Sequence, residues 1–189
     1  MHEIEPYYNW RSIYIASEDP NSPFYGQQYS EFEFSNTIYD YFIHPQWDKF
    51  DSNTLYLKIL YANYDLHYCV IELLGEWNDA LYNDIMHLYR NVIESLLEHD
   101  IIHFILIGEN VLNFHSDTSD YYEEWVDNTE AGWIVGLNFR EHVIREITDT
   151  NLDYYIGIGG KFDDFPWRSM LPDQLFRKVD AMITKRLEI

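Results

Sequence analysis

Basic side chains are scarce in this 189-residue chain: 12 Lys and Arg stand against 33 Asp and Glu, for a formal charge of −21. A surface of that sign repels nucleic-acid phosphates and anionic lipid headgroups over a Debye length of about 8–10 Å, so neither nucleic acid nor a membrane is an expected partner. Cysteine is scarcer still. Cys69 stands alone, which excludes an internal disulfide, and its place inside an apolar run suits a small buried hydrophobe. No apolar stretch approaches the ~20 residues of a membrane span, and no basic-then-apolar leader opens the chain, so the expected location is cytoplasmic.

The motifs that announce chemistry are missing as well. Gly157, Gly159 and Gly160 lack the dinucleotide-binding spacing, and Gly160-Lys161 is followed by Phe162 where a phosphate loop needs Ser or Thr. There is no Gly-x-Ser-x-Gly elbow and no His-Glu-x-x-His pair. No cofactor is called for, and a non-catalytic role is favoured over an enzyme.

What the chain does have is apolar and aromatic. With 17 Tyr, 11 Phe and 6 Trp it is no disordered acidic tail, and its length supports a core without disulfide or structural metal. The acidic excess serves solubility; its functional reading is a basic protein partner or mimicry of nucleic acid.

Asp65 to His115 is the organising stretch. Leu66 to Leu74 reads as a strand, and Gly75-Glu76-Trp77-Asn78 as the junction to a long helix ending near His99. The helix is drawn by Leu81, Ile85, Leu88, Val92 and Leu96 at steps of three and four, with Asn78 as its cap. Ile101 to Ile107 follows at once, apolar at successive positions, which predicts a central strand covered on both faces. Upstream, Leu55 to Tyr61 forms a hairpin with Leu66 to Leu74 through the Asn63 and Asp65 turn.

Downstream the spacing predicts a short helix at Tyr121 to Val126 and a buried strand at Trp133 to Leu137. A helix then opens on an Asn138–Glu141 capping box, a strand follows at Tyr154 to Ile158, and a last helix runs from Pro172. That helix is expected to bury Leu175, Phe176, Val179, Met182, Ile183 and Leu187, with Lys185 and Arg186 at its end. Residues 1–54 read as a separate β-rich, aromatic extension packed on the core, with strands at Ser12 to Ile15, Glu31 to Phe34 and Ile38 to Ile43. Its exposed Tyr and Trp make it a candidate homodimer surface.

The fold class is therefore α/β, a mixed sheet with a central parallel portion plus an antiparallel N-terminal extension. Three stretches carry a family likeness: Val70-Ile71-Glu72-Leu73-Leu74-Gly75-Glu76; Phe104-Ile105-Leu106-Ile107 through Val111 to Ser116; and Val135-Gly136-Leu137-Asn138 with Val143 to Thr148 and Asn151-Leu152-Asp153. They resemble the STAS domain of anti-sigma-factor antagonists and sulfate-transporter tails, over roughly residues 56–189. The resemblance implies an STAS-like α/β domain over residues 55–189 and a protein–protein interaction or regulatory role.

It also implies that Ser116, at the mouth of a helix, stands where the family's phosphorylated serine would. Antagonist members carry Asp-Ser-Ser-Gly there, whereas this chain has His115-Ser116-Asp117-Thr118-Ser119, without the glycine. The competing reading is a metal-dependent hydrolase or small-ligand binder built on the loops at the carboxyl ends of the strands. Glu109, His115, Asp117, Asp120 and Arg168 are its candidate ligand-binding residues, with His115, Asp117 and Asp120 as divalent-metal ligands.

Overall fold

The computed structural model describes residues 4–187, and the side chains of Lys185, Arg186 and Leu187 lie outside the described set. Its centre is a four-stranded mixed sheet in the order β3 (Leu55–Asn63), β4 (Tyr68–Asn78), β5 (His103–His115) and β6 (Trp133–Leu137). β3 and β4 form the expected antiparallel hairpin, with Leu57 opposite Leu73 and a bulge between Ile59 and Tyr61. β4, β5 and β6 run parallel, with Cys69 beside Phe104 and Phe104 beside Ile134. A separate two-stranded ladder, β1 (Thr37–Ile38) with β2 (Tyr41–Phe42), completes the mixed α/β architecture.

Both faces of the sheet are covered, as the continuous apolar run of β5 requires. After the short α1 (Asp79–Tyr82), which gives no apolar side chain to the core, Leu57, Ile71, Phe104, Leu106 and their neighbours on one face pack on helices α2 (Asp84–Leu88), α3 (Glu94–Leu97), α4 (Asp120–Asn128) and α5 (Glu141–Asp149). On the other, Val70, Ile105, Ile107, Val135 and Leu137 meet Trp10, Phe162, Phe165, Trp167 and helix α6 (Pro172–Leu187). α6 buries Leu175, Phe176 and Val179 as its spacing predicts, whereas Met182 and Ile183, expected to be buried, are only partly covered.

Several expectations need correcting. The long helix after β4 is broken once, at Asn83, which takes a left-handed conformation, φ 51°, between α1 and α2; from Asp84 to Leu97 it is continuous, with a π-helical turn (Tyr89–Ile93) joining α2 to α3. Leu81 therefore leaves the apolar stripe and lies exposed, whereas Ile85, Leu88, Val92 and Leu96 are buried. β4 starts later and runs further than expected, so Gly75 to Asn78 belong to the strand. Gly75 (φ 119°) lies where a Cβ would meet the Thr54 carbonyl at 2.1 Å, and no other residue fits so close a backbone approach.

Tyr154 to Ile158 is not a strand. It starts in a 3-10 turn (Leu152–Tyr154) and touches the sheet through one bridge, Gly157 to Val135, so it adds no fourth parallel strand. The Asn138–Glu141 box does not form either: Asn138 is left-handed (φ 56°), and Arg140 is the N-cap of α5, without a side-chain cap bond. In the N-terminal region Ser12 to Ile15 and Glu31 to Phe34 are turn or irregular, because neither finds a partner strand, and Ile38 to Ile43 is not one strand but turns back at Tyr39-Asp40; among the described residues before β3 the short β1–β2 hairpin is the only ladder.

The N-terminal extension is fastened by specific groups. Trp10 Nε1 donates to the Met170 carbonyl at 3.2 Å, and the Tyr7 N–H donates to Glu72 at 2.8 Å. Buried Lys58 pairs with Asp48 at 3.0 Å while standing 3.7 Å over the Tyr29 ring, whose hydroxyl donates to the same Asp48.

Candidate functional site

Open α/β sheets present ligands at the carboxyl ends of their parallel strands, and four of the six candidate residues follow directly from β5 or lie in it. Both carboxylates at that end are largely covered, Glu109 at 23% and Glu76 at 13% exposed; what differs is the neighbouring ring, buried Trp167 at Glu109, the closed side, and exposed Tyr39 at Glu76, the open side.

On the closed side Glu109 leaves β5 just beyond the last β6 pairing. Its carboxylate accepts from Asn138 Nδ2 at 2.9 Å and Trp167 Nε1 at 2.8 Å, and pairs with Arg168 at 2.5 Å. The left-handed Asn138, freed from capping, also donates to the Phe165 carbonyl and accepts the Phe165 N–H, so it ties the end of β6 to the segment before α6. Burial alone would raise the Glu109 carboxyl, but the hydrogen bonds from Asn138, Trp167 and Arg168 outweigh it and hold it below the ordinary value.

Arg168 stacks over Trp167 at 4.5 Å and lies 5.9 Å from the Tyr7 ring, whose hydroxyl donates to the Arg168 carbonyl. Beneath this layer lies Glu72, fully buried. Its carboxyl is pushed up to about 7 by burial, against the Tyr7 N–H and the Arg168 charge and with added repulsion from Glu109. Glu109 and Arg168 are thus brought together, as partners of one another.

On the open side the last residues of β4 and β5 lie side by side, Glu76 with Asn113 and Asn78 with His115. Glu76 is the hub: it accepts from Asn113 Nδ2 at 3.0 Å and from the Tyr39 hydroxyl, and His115 Nε2 lies 3.8 Å away. That hydrogen bond pushes the Tyr39 phenol up to about 12. Tyr39 reaches Glu76 from the β1–β2 turn, and exposed Tyr41, Phe42, Leu81 and Tyr82 belong to the elements that meet here.

Behind Glu76 the chain turns into α1 on the expected cap, with Asn78 accepting the Leu81 N–H at 2.9 Å. A buried carboxylate network then anchors the turn. Asp79 accepts from Trp77 Nε1, the Ile85 N–H and the Tyr122 hydroxyl, at 3.0, 2.8 and 2.6 Å, while Asp84 accepts the Asn78 N–H at 2.8 Å. Burial pushes Asp79 up to about 6, against the hydrogen bonds from Tyr122, Ile85 and Trp77.

Ser116 is half-buried in the loop between β5 and α4. It is not at the mouth of α4, which begins at Asp120 with Ser119 as N-cap, because Asp117 to Ser119 continue as loop before the helix can start. Asp117 and Asp120 are exposed, and no three His, Cys, Asp or Glu side chains converge on a metal-holding position among the described residues. His115 therefore faces Glu76, and the proposed His115, Asp117 and Asp120 set is not assembled.

A groove of about 1030 Å³ lies elsewhere, beside edge strand β6 and lined by Trp133, Ile134, Tyr154, Tyr155 and Phe162 among others; none of the six candidate residues lines it. In the sequence Glu76 carries no signal beyond its place in the Gly75-Glu76-Trp77-Asn78 junction. The Tyr39-Asp40 turn that meets it carries none of the Asn-Gly signature of tight hairpins. Neither a scan against protein-family models nor a search of curated proteins returns a match to this chain.

Proposed function

We propose that the chain is a non-catalytic protein-interaction or regulatory module of STAS-like type, docking a protein partner at the open side of the sheet end, with Ser116 as its point of control. The order of an antiparallel strand pair followed by parallel strands and helices supports the STAS-like reading, and the missing strand at Tyr154 to Ile158 is its departure.

The observation that carries the proposal is the contrast at one end of one sheet. Glu109 and Arg168, the charged groups a ligand would need, are engaged with each other and with Asn138 and Trp167. Tyr39, Tyr41 and Leu81 instead face solvent from elements anchored to strand ends. A phosphate on Ser116 would add about two negative charges next to His115 and Asp117, close to Glu76, and so alter any partner's contact there.

Affinity capture from the native cytosol, with the purified chain as bait, tests the reading. A protein retained in 1:1 ratio, held about tenfold less well by Ser116→Asp than by Ser116→Ala, is the expected result. Stoichiometric Mg, Mn or Zn in the purified protein, lost on His115→Ala, would move the reading to the hydrolase. Light scattering of the pure chain decides whether the partner is a second copy.

A further inference from the structure

Glu72 lies in the interior of β4 at 1% exposure, between two ion pairs that do not include it. Lys58 stands opposite it in the β3–β4 register but pairs with Asp48 at 3.0 Å, and Arg168 pairs with Glu109 at 2.5 Å. Arg168 and Glu109 act on Glu72 from a distance and with opposite sign. On β5 its neighbour is Ile107, which carries no charge. In the N-terminal segment Arg11 is paired with Glu5 at 3.3 Å, so what that segment offers the carboxyl is the Tyr7 N–H, at 2.8 Å.

Residues 4–11 pass over this carboxyl as irregular chain and turn. They are held at separate points: Trp47 Nε1 donates to the Ile4 carbonyl at 2.8 Å, the Tyr7 hydroxyl to the Arg168 carbonyl at 3.0 Å, and Trp10 Nε1 to the Met170 carbonyl at 3.2 Å. The Tyr7 and Trp10 rings cover Trp167, at 4.8 and 5.7 Å between centroids. Alongside, a cleft of about 250 Å³ lined by Tyr7, Arg11, Tyr14, Lys58 and Leu60 runs between the segment and β3, so the segment is not packed along its whole length.

We propose that residues 4–11 are a pH-gated strap, closed over Glu72 while that carboxyl is neutral and loosened when it loses its proton. Burial pushes the carboxyl up to about 7, against the Tyr7 N–H and the Arg168 charge. One N–H does not replace the hydration of a carboxylate, so ionisation favours any state that lets water in. Lifting residues 4–11 does this at the loss of the Tyr7 and Trp10 contacts, whereas global unfolding loses both faces of the sheet, so the strap opens first. The preference for the closed state is full below about 4.3, where an exposed glutamate is neutral as well, and is gone above 7. Opening uncovers Trp167 and needs no partner, so the inference stands apart from the module reading.

Hydrogen exchange of the ¹⁵N-labelled full chain between pH 5 and 8 tests it, with Glu72→Gln as the variant that keeps an acceptor for Tyr7 but cannot ionise. Taking the ratio of wild-type to variant exchange at each pH removes the chemical rate. At the Tyr7 amide and the Trp10 indole that ratio should rise by about seventyfold across the range. Protection at both sites should be at least about tenfold below that of the Trp125 indole, which is buried on the opposite face and reports global unfolding.

A ¹³C titration of the Glu72 carboxyl in the wild-type chain needs no variant and should show a midpoint near 7. A ratio flat with pH, protection at Tyr7 and Trp10 equal to that at Trp125, or a Glu72 midpoint near ~4.3 would each overturn the strap.

Discussion

Glu76 and Glu109 leave neighbouring parallel strands at the same end of the same sheet, and both side chains are largely covered, at 13% and 23% exposed, yet their surroundings differ. The difference comes from what crosses over them. Above Glu109 the chain between β6 and α6 returns across the sheet, bringing Asn138, Trp167 and Arg168 together, and the Tyr7 segment closes the side beyond them. At Glu76 the β1–β2 hairpin supplies one hydroxyl and β5 supplies Asn113 and His115, and the hairpin leaves its rings in solvent. Similar charges at similar places thus stand beside buried rings on one side and beneath exposed rings on the other, and the choice is made by distant segments.

The comparison can be broken in stages. The largest effect is expected at Glu72, under the closed side, whose folded carboxyl titrates near 7 because of burial. The folded state therefore holds that proton more tightly than the unfolded chain, whose glutamates titrate near ~4.3. The resulting stability is full below the unfolded value and disappears as pH rises through 7. Between pH 5 and 8 wild type should lose about 2.5 kcal/mol that Glu72→Gln does not lose, read from urea midpoints of both proteins. Parallel pH profiles would show that Glu72 is hydrated and that the closed side is open after all.

Glu109→Ala comes next. It strands the buried Trp167 donor and leaves the Asn138 amide a partner short, and is expected to cost about 2 kcal/mol; Glu109→Gln, which keeps one acceptor, should cost about half of that. The counterpart, Glu76→Ala, leaves Asn113, Tyr39 and His115 within reach of water and should cost less than about 1 kcal/mol. Equal losses at the two positions would erase the distinction.

Local signals made much of the scaffold legible. The β3–β4 hairpin, the strand interiors of β5 and β6, the Asn78 cap and the apolar stripe of α6 all follow from period, cap and turn chemistry over a few residues. What failed depended on the rest of the fold. Asn83 is unremarkable within a helical run, but its left-handed φ divides the helix because the buried Asp79 and Asp84 network draws the chain inward there. Tyr154 to Ile158 has strand-like composition, yet only Gly157 reaches β6. Glu109 and Arg168 were each identifiable as candidates; their pairing was not, since it requires Asn138 to abandon its helix and hold Phe165. The Glu76 hub was invisible for the same reason, its donors arriving from β1–β2 and β5.

The smallest effect is the one that defines the open side. Tyr39→Phe removes the hydroxyl that meets Glu76 but keeps the ring, and the residue is mostly in solvent, so stability should change by less than about 0.5 kcal/mol. Its consequence should be conformational: without that anchor the positive φ at Tyr39 and Asp40 is less well supported, and the hairpin should exchange its amide hydrogens faster than wild type while β4 and β5 do not. Hydrogen exchange at residues 38–42 measures this. Unchanged protection would mean that Ile38, packed on Leu74 and Trp47, holds the turn by itself and that the Tyr39–Glu76 bond adds nothing to it.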